Sequence, residues 1–315
     1  MTADRDDFVA RRRPRWEQLE RLISKSSLEP SEWMDAASLY RATCSDLARA
    51  RSLQLPDDVV RFLDQLAGRA HNHLYGGRAE HRIGLAELLG TAFPRELRAS
   101  WRLFLLATLL FYGPFLLGFT AASIDPAYAT AILPEGDLVQ MEEMYSGDLA
   151  RQPWEDAQMA GFYVHNNVGI AFRCFATGAL FGLGTLWYLV YNGLVLGTVF
   201  GYLIAVGRGG NLLTFAMGHA PWELTGIVVA GTAGLRMGWA LVDTGGRTRL
   251  GSLRAAGPAL YRLVAGAAAM LFVAAAVEGF WSASPLPVPA KIAFAAGSAV
   301  LVVSWIAFGG RRGAP

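Results

Sequence analysis

Apolar residues along this chain recur at helical spacing up to about position 100 and then gather into long blocks. In the first part, FVARRRPRWEQLERLI sets Phe8, Trp16, Leu19, Leu22 and Ile23 at helical intervals. Pro30-Ser31 interrupts this run, and a second one puts Trp33, Ala37, Tyr40 and Leu47 on one side. Pro56-Asp57-Asp58 opens a third helix, because proline suits a first turn and acids suit its positive end. That helix carries Val60, Leu63, Leu66 and Ala70 at spacings of three and four. The pattern predicts a cytosolic helical domain over 1–77. Over 78–100, RIGLAELLGTAF is amphipathic and PRELRASWR brings arginines and a tryptophan before an apolar run. This predicts an interfacial linker with basic groups toward lipid headgroups.

The blocks that follow have the length of membrane spans, about 20 residues each. The first, LFLLATLLFYGPFLLGFTAA, contains Gly113-Pro114, a kink that membrane helices tolerate. An acidic stretch then reads as a folded extracytoplasmic helical cap over 123–167. Residues 168–206 are nearly uncharged and too long for one crossing. The YNG at 191–193 is a turn signal, so the expectation is two crossings divided at Asn192-Gly193, the second of them short. GRGGN at 207–211 is a turn, and three further spans follow by 310. The expected architecture is all-α, with a transmembrane domain over 101–310 of about six helices.

Composition agrees with a membrane protein: 53% of the 315 residues are hydrophobic and 17% charged, with positive mean hydropathy. The net charge of +2 gives no global basic field, so no nucleic-acid partner is expected. Cys44 and Cys174, the two cysteines, make no disulfide framework. The first residues lack an apolar h-region, so no cleavable signal is expected. The arginines are segregated. Six crossings with both termini cytoplasmic put Arg95, Arg98 and Arg102, the 247–262 cluster, and Arg311 and Arg312 on the inside, as the positive-inside rule favours. The expected location is a membrane, with the lipid bilayer as first partner.

Candidate chemistry lies in a few polar groups. His219 and Glu223 in GHAPWEL stand one helical turn apart, at the start of a span opened by Pro221. They are expected at the outer end, with 211–219 as a separate segment. Such a pair serves either as a helix-start hydrogen-bonded unit or as a proton or cation site. Arg236 in the same span and Glu278 late in the next would pair or face a polar interior. Asn166, Asn167 and Asn192 complete the expected polar core, in architectural or functional use. Gly178, Gly182, Gly193, Gly197, Gly201 and Gly234 recur at spacings that let helix backbones approach closely. HAPWE lacks the second histidine of a zinc-protease helix, and no nucleotide fingerprint or Ser-His-Asp arrangement can be argued. No catalytic residue, metal or cofactor is expected.

Four stretches then carry a resemblance: RPRWEQLERLI with LYRATCSDLARAR, FLDQLAGRAHNHLYG, HNNVGIAFRCFATGALFGLGT with YNGLVLG, and GHAPWELTGIVVAGTAGLRMG. Together the chain resembles the stage II sporulation protein M family of bacterial membrane proteins, departing at Ala220, where the family commonly has glycine. The resemblance implies a bacterial inner membrane as the location. The pairing of a soluble helical domain with a sparse set of membrane polar groups leads to the expectation of a non-enzymatic scaffold joining a cytosolic partner to other membrane or envelope proteins. MoxR-type AAA+ ATPases and von Willebrand-type domain proteins are the partners the resemblance implies, and a homo-oligomer is compatible with it. A transporter or channel using His219, Glu223 and Arg236 is the rival.

Overall fold

The computed structural model describes residues 2–25, 28–74, 83–146, 167–282, 284 and 286–311. They fall into two compact units, Met1–Ile83 and Gly84–Pro315. All the helices and turns below are of described residues, among which no strand occurs.

The first unit packs α1 (Thr2–Ile23), α2 (Pro30–Ser52) and α3 (Asp57–Leu74) around Phe8, Trp16, Leu19, Ala36, Leu63 and Leu66. The face of α2 is turned from the one its large residues suggest. Ala36, Thr43, Asp46 and Ala50 are buried, whereas Trp33 stays 40% exposed and stacks on His73. Small residues here let the helices close on one another, and Asp46 enters the core because Trp16 meets it. The indole Nε1 donates to Asp46 Oδ2 at 2.9 Å, and Arg12 pairs with Oδ1 at 3.2 Å.

The second unit begins with α4 (Leu85–Glu87), a π-helical turn at Leu88–Ala92 and α5 (Phe93–Ala99). Next come α6 (Trp101–Ile124), a 3₁₀ turn at Pro126–Ala131 and α7 (Glu135–Met144). After α8 (167–176) and a 3₁₀ turn at Thr177–Ala179 follow α9 (Leu183–Ala205), α10 (Gly209–Ala216) and α11 (Ala220–Val242). Then α12 (Arg249–Val277) runs into a π turn at Glu278–Ser282, and α13 (Val288–Phe308) ends the unit. Five of these helices, α6, α9, α11, α12 with its π turn, and α13, are long and apolar enough to cross a membrane. The most apolar stretch of α11 is 67% buried, against 17% in α6 and α13. α11 is thus the centre of the bundle, and its neighbours present apolar faces outward, as lipid rather than water requires.

The expected division at Asn192-Gly193 is not where the chain turns. Both residues lie inside α9, whose full 23 residues form one helix. Asn192 satisfies its amide within that helix by donating to the Tyr188 carbonyl at 2.7 Å. Gly193, Gly197 and Gly201 form a ridge against α6, where an added Cβ would fall on the carbonyl oxygens of Phe111, Phe115 and Phe119. Absence of a side chain allows that approach, and close packing is what drives helix association in lipid. The turn comes earlier, at 180–182, where Phe181 (φ 54°) and Gly182 (φ 85°) enter the left-handed region. Gly178 lies against Gly234, and Gly182 against Gly238. Since Asn167 shares a cavity wall with Glu223, α8 and its turn descend beside α11 in the same direction. They supply the partner leg that brings the chain back to start α9.

Candidate functional site

The polar groups gather at the two ends of the bundle rather than in one core. At the first end, α10 stops at Ala216, and His219 is the residue before α11. Pro221 lacks an N–H and so fits the first turn, where no intrahelical acceptor is available. One turn on, Glu223 is 13% exposed at its side chain and His219 is 8% exposed. The His219 Nε2–Glu223 Oε2 separation is 3.7 Å, too long for a hydrogen bond. Burial pushes the imidazole pKa down, so the ring is neutral near pH 7 and the pair is not an ion pair. The other ring nitrogen, Nδ1, lies 3.0 Å from the Ser282 hydroxyl. Ser282 Oγ can donate to the Val277 carbonyl at 3.4 Å, which leaves it free to accept from Nδ1–H.

Ser282 and Glu278 both belong to the π turn that ends α12. The wider turn changes which side chains face the bundle, and π turns are frequent at functional sites. Glu278 is 5% exposed and joins His219 and Glu223 so that one ligand atom from each lies within 4.8 Å of the others. Asn167, Glu223 and Glu278 help line a cavity of about 10 Å³, otherwise walled by apolar residues. Lys291 of α13 is buried but donates to the Ser282 carbonyl at 2.7 Å, not to a carboxylate. Sequence reading noted Glu278 but could not join it to His219 and Glu223. The signal available was only an ionisable residue late in an apolar block.

Arg236 belongs to the opposite end. It lies 13 residues beyond Glu223 on α11, about 20 Å at 1.5 Å per residue. Its guanidinium donates to Glu96 Oε1 at 2.6 Å and to the Ser100 hydroxyl. Arg262 of α12 takes the other oxygen of Glu96 at 3.0 Å. Beside them, Arg98 donates to the carbonyls of Ile306 and Gly309 at 2.5 and 2.7 Å, and Arg95 to that of Gly310 at 2.7 Å. These arginines satisfy the open carbonyls at the end of α13, where cations are favoured by the helix dipole. The polar core drawn from the sequence is therefore corrected to two clusters: Arg236 is in the second, and Asn192 is in neither. Asn166 lies outside the described residues.

In comparisons with known proteins, the model of the family described as stage II sporulation protein M matches residues 104–283. A domain of unknown function (DUF8413) matches residues 6–76. No curated protein and no solved structure matches the chain.

Proposed function

The chain belongs to the stage II sporulation protein M family, and from that premise we propose that this multi-pass membrane protein is a non-enzymatic scaffold of a bacterial inner membrane. Its N-terminal unit would receive a cytosolic partner, and the acidic 125–143 face would meet an envelope protein. The observation that carries this reading is the small cavity, about 10 Å³, at the His219–Glu223–Glu278 cluster. Among the described residues that space has room for an ion or a water only. The larger pocket beside it is lined by apolar side chains such as Phe172 and Phe280, which favours a scaffold over a polar transport path. The separately packed helical unit supports the same reading, since it offers a surface for a soluble partner. Orientation follows from charge: the end bearing Arg95, Arg98, Arg236, Arg247, Arg249 and Arg262 would face the cytoplasm, and both termini with it.

The implied cytosolic partners are a MoxR-type AAA+ ATPase and von Willebrand-type domain proteins. Affinity purification of the tagged full chain in mild detergent tests the proposal. Stoichiometric co-elution of a cytosolic or envelope protein, lost when exposed residues of 2–74 are altered, is the expected result. A chain that elutes alone and drives solute uptake in vesicles would overturn it.

A further inference from the structure

We propose that His219, Glu223 and Glu278 bind a divalent first-row metal ion, with zinc the best match, at the acidic end of the bundle. This goes beyond the scaffold reading and stands independently of it, and it revises the expectation of no metal.

The donor set comes first. One imidazole nitrogen and two carboxylates converge from two segments, 219–223 and the π turn after α12, with their ligand atoms within 4.8 Å of one another. Zinc binds nitrogen and oxygen at about 2.0–2.2 Å, which sets ligands of a tetrahedral site roughly 3.5 Å apart. The His219–Glu223 separation of 3.7 Å is close to that value. Imidazole suits zinc better than it suits magnesium or calcium, and three protein ligands leave a fourth position for water.

The second observation is the state of the donors. Glu278 is 5% exposed, and no hydrogen bond or ion pair satisfies its carboxylate among the described residues. An unpaired charge so buried costs several kcal/mol, and a second carboxylate beside it raises that cost. His219 adds to the problem rather than relieving it. In the tautomer that donates from Nδ1 to Ser282, Nε2 carries a free lone pair 3.7 Å from Glu223 Oε2, too far to share a proton directly. Three electron-pair donors thus face a common point, and a dication there compensates both carboxylates and takes the lone pair.

The outer contacts have the form metal sites use. A ligating histidine usually donates its other ring N–H to a fixed acceptor, which sets tautomer and orientation. Ser282, 3.0 Å from Nδ1, is placed to be that acceptor, and Lys291 donates to the Ser282 carbonyl. A metal here would pin the start of α11 to the end of α12.

The test uses the full chain purified in mild detergent without chelator, then stripped and titrated with Zn²⁺ or Mn²⁺. The expected result is about one zinc per chain by elemental analysis, with weaker manganese binding. Zinc should raise the Tm of the stripped protein by mass action. Glu278→Gln should abolish both saturable uptake and the Tm response. Ser282→Ala keeps all three ligands, so if Glu278→Gln fails to fold it remains informative, with zinc affinity lowered roughly 10–100-fold. Two results overturn the proposal. One is stripped protein with neither saturable uptake nor a Tm response to zinc, which assigns the cluster to carboxyl groups sharing protons. The other is folded Glu278→Gln protein that keeps full stoichiometry, which places the ion elsewhere in the chain.

Discussion

Glu96 holds arginines from two helices, Arg236 on α11 and Arg262 on α12, one on each carboxylate oxygen. Its side chain is 10% exposed, while the arginines are about a third exposed, at 30% and 33%. Removing the carboxylate leaves two half-solvated cations facing each other, a smaller penalty than a fully buried pair would carry. Glu96→Ala is therefore expected to cost about 1–3 kcal/mol, read as a lower Tm in detergent. A Tm equal to wild type would show that water alone serves these arginines. In the N-terminal unit Asp46 has no such recourse, being 3% exposed between Trp16 and Arg12. Asp46→Ala should cost about 2–4 kcal/mol there, seen as faster hydrogen exchange confined to 2–74. Unchanged protection in that segment would remove Asp46 from the account of its stability.

At the scale of the helix, the α6–α9 pair rests on absent side chains. A Cβ at Gly197 would meet the Phe115 carbonyl, so Gly197→Ala must push the helices apart, costing about 1–3 kcal/mol. Gly297→Ala on α13 has open space and should change stability by no more than about 0.5 kcal/mol. Equal Tm values for the two variants would refute the ridge. The same glycines explain what was and was not legible in the sequence. The long apolar blocks announce helices of spanning length, and the periodic Leu63 and Leu66 mark the buried face of α3. Asn192-Gly193, however, is a turn signal in water and a packing device in lipid, and local sequence does not distinguish them. The actual turn at 180–182 is Leu-Phe-Gly, in which Gly182 meets Gly238 of α11 while Leu180 and Phe181 stay 61% and 48% exposed. It is apolar as a lipid-facing surface requires, so polarity could not reveal it. Glu278 could not be assigned to His219 because only the fold brings α12 back to the start of α11. A π turn, which shifts the helical register by one residue, is likewise invisible to a search at period 3.6.

For the whole molecule, direction can be traced through the bundle from contacts alone. α6 and α9 run parallel, since Gly193, Gly197 and Gly201 meet Phe111, Phe115 and Phe119 in ascending order. α11 runs against α9, because Gly231 lies on Leu189 and Gly234 on Thr185. α8 descends with α11. The loop 243–248 therefore lies at the end where α6 begins, with Arg95 and Arg98, and α7 follows the end where α6 finishes. Five long helices joined by this extra descending leg give an odd-even alternation that returns 308 to the side where α6 starts. Single cysteines test this in a chain carrying Cys44→Ser and Cys174→Ala. Asp137 and Arg247 are both exposed, so each can carry the reporter without disturbing a core. Asp137→Cys should react with a membrane-impermeant maleimide on intact spheroplasts. Arg247→Cys should react only after the membrane is opened, because its basic surroundings favour the cytoplasmic side. If both positions label from outside, 167–182 does not cross and α9 must start on the outer side. If only Arg247→Cys labels, the bundle is inverted and the His219–Glu223–Glu278 cluster lies at the cytoplasmic end.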